Sequence, residues 1–202
     1  MKRNQYTLGK PISFKGNGLH SGIPVTITMR PAPAGSGIIF RRIDLTGAPE
    51  VPAKSEFVTN TLRATTLERG DAKVFTVEHI LSALFALRID NCILEMDAPE
   101  PPVADGGALT FSQMILEAGI VELEEQTGIL TLETSVAVYE DNKFITALPY
   151  DGLRITFTSI NPHPLLGTQM KDFTIDRETY IREIAPSRTC LLYTSDAADD
   201  KA

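Results

Sequence analysis

The chain has 202 residues, 19 basic and 26 acidic side chains, and a formal net charge of −7. That balance excludes a binder of the nucleic-acid backbone, which needs a basic face, and no apolar run approaches the ~18–20 residues of a membrane-spanning helix. With 43% hydrophobic residues there is material for a packed core, and two cysteines, Cys92 and Cys190, suit a reducing compartment, read here as the cytoplasm.

The amino end, Met1 to Gln5, is basic but leads into polar alternation rather than a signal-peptide apolar stretch. The first forty residues read as strands. Val25 to Arg30 alternates apolar and polar and stops at Pro31, and a Pro/Ala/Gly turn leads to Ile38-Ile39-Phe40. Short strands follow at Ala64–Leu67 and Lys73–Phe75. The period then changes: apolar residues at 77, 80, 81, 84 and 85 predict a helix, with Thr76 as its N-cap and Asp90-Asn91 as its stop. Asn91–Met96 reads as a buried strand. A second helix, through Phe111, Met114, Ile115 and Ala118, ends at Gly119. Acidic Glu122–Gln126 reads as a linker. Strands resume at Ile129–Leu132, Val136–Tyr139, Phe144–Leu148 and Leu153–Thr158, and a polar helix is expected over Asp176–Ile184.

These later strands echo the earlier ones. Thr28-Met29-Arg30-Pro31 and Gly37 to Phe40 match Thr146-Ala147-Leu148-Pro149 and Gly152 to Phe157, with an offset of 118 residues at the prolines and 117 at the phenylalanines. The repeat predicts a first unit over residues 1–125 and a second that needs residues to about 243. The sequence therefore reads as truncated, with a partial second unit over 126–189.

The helix after Thr76 is the segment richest in possible chemistry. Val77, Ile80, Leu81 and Leu84 form one apolar stripe, while His79 shares the opposite side with Ser82, Ala83 and Ala86. Small, uncharged residues there leave room for another layer, a ligand or a metal. A first-turn histidine is favoured in its neutral, metal-binding form. Glu78 is adjacent and could serve a water on the same metal. The plainer reading is a dipole-complementing Glu beside a hydrogen-bonded structural His, and no His-x-x-x-His or Cys-x-x-Cys pattern decides between the two. Gly16 to Gly22, with His20 inside it, reads as a hairpin turn and lacks a phosphate-loop ending. Asp105-Gly106-Gly107 reads as the turn before a helix, Asn161 to Pro164, with His163, as a rigid loop, and Cys92 as an inert core thiol.

In order along the chain stand Gly18-Leu19-His20-Ser21-Gly22, Arg30-Pro31-Ala32-Pro33, Phe40 to Asp44, Ala64-Thr65-Thr66-Leu67, Thr76 to Leu84, Ile89-Asp90-Asn91, Pro99 to Gly106 and Ser187-Arg188-Thr189. Together they resemble the zinc-dependent UDP-3-O-acyl-N-acetylglucosamine deacetylases of lipid A biosynthesis, over about Gln5 to Thr189.

The resemblance implies an α+β fold of two similar two-layer α/β sandwich domains with the active site between them. It implies zinc (Zn2+) as cofactor and an acylated UDP-sugar as substrate, with no protein partner required. It matches His79 to the first zinc ligand, Glu78 to the general base and Thr189 to a threonine assisting at the substrate carbonyl. The family's remaining ligands, a His and an Asp on a later helix, have no counterpart here. Residues 190–202 do not resemble the family and read as a foreign tail. Two other readings stay open: a non-catalytic binding or assembly fragment, and the first part of a deacetylase fused to another lipid-pathway enzyme.

Overall fold

The computed structural model describes residues 2–189, so the expectation of a foreign tail at 190–202 lies outside the described residues. The chain has an α+β fold whose centre is a mixed five-stranded sheet. In chain order its first half contains β1 (Lys2–Leu8), β2 (Ile12–Asn17), β3 (Pro24–Pro31), β4 (Ile38–Arg42), β5 (Glu50–Pro52), β6 (Val58–Asn60), β7 (Thr66–Arg69), β8 (Ala72–Phe75), α1 (Glu78–Ala86), β9 (Cys92–Met96) and α2 (Leu109–Ala118). The sheet order is β2-β3-β9-β4-β5, and β6-β7-β8 form a smaller sheet. β9 runs antiparallel to β3 and parallel to β4, so it enters the sheet only after a long crossover through α1.

Alternation along the strands divides the sheet's two faces. Ile27, Met29, Phe40, Leu94 and Met96 are buried and share one core with Ile80 and Leu84 of α1 and Phe111 and Ile115 of α2. The other face carries Arg30, Arg41 and Glu95, with Glu95 paired to both arginines and Arg41 also to Glu50. The strand expected at 91–96 is thus buried on one face only, with Cys92, Leu94 and Met96 inward.

The second half contains β10 (Ile120–Gly128), β11 (Val136–Glu140), β12 (Lys143–Ala147), β13 (Arg154–Ile160), β14 (Thr168–Thr174) and a short helix α3 (Arg177–Thr179) that continues as a π-type turn over Tyr180–Ile184. The segment Glu122–Gln126, expected as a linker, is part of β10 and pairs antiparallel with β1. One of its acidic residues is held by neutral groups of the amino end across the ribbon: Glu122 takes hydrogen bonds from Asn4 and from the Tyr6 hydroxyl. Ile129–Leu132, expected as a strand, belongs to no strand, and no residue from 129 to 174 is fully buried.

β11–β12 and β13–β14 are two separate hairpins. The repeated sequence segments occupy like places in them: β3 and β12 each close a hairpin, and β4 and β13 each open the next. Among the described residues β12 and β13 are not paired, whereas β9 stands between β3 and β4.

Local signals account for several element ends. α2 stops at Gly119, whose φ of 79° suits a residue without a side chain. The Asp176 side chain caps α3 by accepting from the Thr179 amide at 2.7 Å. Thr76 behaves differently from its expected role as N-cap. Val77 occupies the cap position without a side-chain cap bond, while Thr76 has φ of 58° and its hydroxyl turns away from the helix. α1 also ends at Ala86, before the expected stop at Asp90-Asn91, with Arg88 turning the chain at φ of 61°.

Candidate functional site

Glu78 and His79 open α1, so both lie in its first turn. The Glu78 side chain is exposed, and its Oε1 accepts a hydrogen bond from the Thr65 amide in the loop before β7. That bond fixes the carboxylate's direction and leaves Oε2 without a hydrogen bond among the described residues. His79 is half-buried, and its imidazole makes no hydrogen bond or ion pair among the described residues.

One turn further on, the small-residue side of α1 is covered by the chain itself. The Tyr180 hydroxyl meets the Ser82 hydroxyl at 2.8 Å, while the Ser112 hydroxyl of α2 donates to the Ala108 carbonyl. Burial pushes the Tyr180 phenol above its ordinary value, against the opposing pull of both serines. Ala83 is wholly buried, and Phe85 and Ala86 border an apolar groove shared with Ile155 of β13, Ile175 and Ile184. Of the occupants the sequence allowed for this face, the structure shows another layer of the same chain.

The same carboxy-terminal segment continues to the start of α2. The Ala108 amide donates to the Ala185 carbonyl at 3.0 Å, and the Thr189 amide donates to the Gly106 carbonyl at 2.9 Å. Asp105, in the expected turn, accepts at Oδ1 from the Thr110 amide at 3.2 Å. Glu78 and His79 are therefore side by side on one helix, while Thr189 is held on a separate segment at the 105–107 turn.

The other histidines are occupied differently. His163 lies in the β13–β14 loop, where its Nδ1 accepts from the Leu165 amide at 3.2 Å. His20 is exposed in the turn between β2 and β3. Among the described residues no group of three His, Cys, Asp or Glu side chains is placed to hold a metal ion. His79 suits one position of a zinc site, and the described residues do not close such a site by themselves.

Sequence reasoning missed Glu100. Its carboxylate is fully buried, yet no cation pairs with it among the described residues. Oε1 accepts from the Thr76 hydroxyl at 2.8 Å and from the His20 amide at 3.0 Å, and Oε2 accepts from the Ser21 amide at 2.8 Å. Burial pushes its pKa up, but hydrogen bonds from His20, Ser21 and Thr76 outweigh burial and hold the carboxyl below its ordinary value. Gly18 is required here for space: a Cβ would collide with Glu100 Oε2 and Ser21 Oγ. The available signal was a lone glutamate set among Pro99, Pro101 and Pro102 without a basic neighbour.

No helix among the described residues is long and apolar enough to cross a membrane. The chain as a whole is similar to known proteins. The chain matches the UDP-3-O-acyl N-acetylglycosamine deacetylase (LpxC) family over residues 5–198. It is 44% identical to the Bifunctional enzyme LpxC/FabZ of Chlorobaculum tepidum over 193 residues, 94% of this chain and 41% of that protein. It is 41% identical to the UDP-3-O-acyl-N-acetylglucosamine deacetylase of Legionella pneumophila (strain Corby), covering 92% of this chain and 62% of that one. With the enzyme of the same name from Chlamydia abortus it shares 40% identity, covering 96% and 69% respectively. The chain thus spans 41% of the first of these relatives and 62% of the second. By its match along almost its whole length, the chain belongs to the UDP-3-O-acyl N-acetylglycosamine deacetylase family.

Proposed function

We propose that this chain carries part of the machinery for zinc-dependent hydrolysis of the N-acetyl group of UDP-3-O-acyl-N-acetylglucosamine, in lipid A biosynthesis in the cytoplasm. The products are acetate and the free amine. The observation that carries this reading is the first turn of α1: a carboxylate with a free oxygen beside an imidazole with no hydrogen-bond partner among the described residues.

In this reading His79 offers one nitrogen ligand to zinc, and Glu78 is the general base. When bound, zinc lowers the pKa of a coordinated water toward ~7 and polarises a carbonyl. The Thr65 amide holds one Glu78 oxygen, so the other is presented as a fixed proton acceptor. Thr189, anchored through its amide to Gly106, is the donor to the substrate carbonyl. The like placement of the repeated segments in their hairpins supports a division into two similar units, 1–125 and 126–189. A fusion to a second lipid-pathway enzyme is the other reading, favoured by the Chlorobaculum relative's name.

The test measures bound zinc and acetate release from the acylated UDP-sugar. In full-length protein, His79→Ala is expected to remove both together, because one of three protein ligands is lost. Stoichiometric zinc in that variant would overturn the ligand assignment. Residues 1–202 alone are expected to bind zinc weakly and turn over at background, since their described part supplies a single histidine ligand. Turnover at the rate of an intact relative would show that other groups complete the site.

A further inference from the structure

We propose that Glu100 is a positioning residue: through Thr76 it sets the direction in which α1 presents Glu78 and His79, and it locks the 18–22 turn to the same point. The proposal rests on the functional reading of Glu78 and His79 given above.

Residues 99–103 act as a strap across two otherwise separate segments. The Pro99 carbonyl accepts from the Phe75 amide at 3.0 Å, directly before Thr76. The Val103 amide donates to the Asn17 carbonyl at 2.8 Å, and Gly18 forms a bridge with Pro102. Glu100 lies between these attachments and gathers the Thr76 hydroxyl and the His20 and Ser21 amides onto one carboxylate. Its partners are all neutral donors, so the negative charge is held entirely by directed hydrogen bonds, whose geometry is stringent.

Thr76 is the sensitive point. A β-branched residue at φ of 58° is in a region that L side chains other than Asn, Asp and His rarely adopt. Such a conformation persists only where its surroundings over-determine it. Here the hydroxyl bond to the buried Glu100 and the Phe75–Pro99 bond supply that constraint. Without the hydroxyl bond Thr76 is free to return to negative φ. That rotation passes directly into Val77 and Glu78, because no side chain caps the helix start. The loop on the other side of Glu100 has its own backbone bonds from Gly18 to Ile23 and from Gly22 to Gly18, and the same carboxylate adds the His20 and Ser21 amides to them, with Gly18 permitting the close approach.

The Thr65 amide reports the position of Glu78 independently of catalysis, since it donates to that carboxylate. Amide-resolved hydrogen exchange on the 202-residue chain is therefore the test. Glu100→Gln is expected to speed exchange at His20, Ser21 and Thr65 by roughly tenfold or more, with the β3–β9 ladder unchanged. Thr76→Val, which keeps the shape and removes the hydroxyl, is expected to loosen Thr65 alone. In Glu100→Ala, added formate is expected to restore protection at all three amides by refilling the anion position. Unchanged Thr65 exchange in Thr76→Val would overturn the proposal, even if Glu100→Gln fails to fold. So would loss at His20 and Ser21 without loss at Thr65 in Glu100→Gln, which would make Glu100 a loop anchor only. Acetate release by the unsubstituted full-length protein separately decides the functional reading. If that reading holds, Glu100→Gln lowers kcat by roughly ten- to a hundredfold with KM little changed.

Discussion

The Tyr180 hydroxyl stands 2.8 Å from the Ser82 hydroxyl, joining the last helical segment among the described residues to the back of the helix that carries His79. This contact explains why that side of α1 is built from Ser82, Ala83 and Ala86: larger residues would hold the layer off. Tyr180→Phe removes the hydroxyl and leaves the half-buried Ser82 hydroxyl short of a partner, so a loss of about 1–3 kcal/mol in stability is expected. Urea unfolding of the two proteins measures it, and a difference near zero would mean the contact is incidental.

Glu78→Gln separates chemistry from folding. The carboxamide oxygen can still accept from the Thr65 amide, so stability should stay within about 0.5 kcal/mol. Turnover in full-length, zinc-loaded protein should fall by roughly 10²–10⁴-fold, the usual contribution of a general base, with zinc retained. Unchanged turnover would reduce Glu78 to a helix-terminal charge.

Acid should weaken this fold through Glu100. Burial opposes its ionisation, but the hydrogen bonds from His20, Ser21 and Thr76 prevail, and its folded pKa lies below the ordinary value of 4.5. Its contribution is therefore complete above about pH 4.5 and is lost as pH falls through the lower folded value. Asp44, held low by Arg42, and Glu95, where Arg30 and Arg41 overcome burial, act in the same direction. Urea midpoints measured between pH 6 and 3 should fall towards acid, and less steeply in Glu100→Gln. Equal slopes in the two proteins would show that Glu100 is not a source of the acid sensitivity.

Cys92 should be unreactive while the fold is intact. Its side chain faces the core, and burial pushes the thiol up to about 12, so the thiolate is absent at pH 8. Iodoacetamide at pH 8 is expected to spare Cys92 in native protein and to alkylate it in urea, as read by peptide mass spectrometry. Native alkylation at Cys92 would show that the first sheet opens on the labelling timescale.

Periodicity made the central elements legible. Val25–Arg30, the helix through Ile80 and Leu84, and the helix ending at Gly119 each read correctly because side-chain burial repeats with the backbone's own period. The acidic stretch at 122–126 did not, because its strand is stabilised by a partner near the amino end, Asn4 and Tyr6, that no local window contains. Thr76 had the composition of an N-cap, but a buried carboxylate competes for its hydroxyl. The pairing of Glu78 with His79 was visible as adjacency. The role of Glu100 was hidden for the opposite reason: its partners are mostly backbone amides, which leave no trace in side-chain sequence.

The position of β9 also orders events in time. It is the middle strand of the first sheet yet the last of its five in the chain, so β2–β3 and β4–β5 can form as hairpins but cannot join before residue 96 has been synthesised. Until then the inner edges of β3 and β4 present unpaired backbone groups, a state prone to pairing with other chains. The sheet is therefore closed by insertion of a strand between two waiting hairpins, and the core beneath it is completed only when α2 supplies Phe111 and Ile115. Slowing the ribosome just before Cys92 would lengthen the interval in which this chain is open to aggregation.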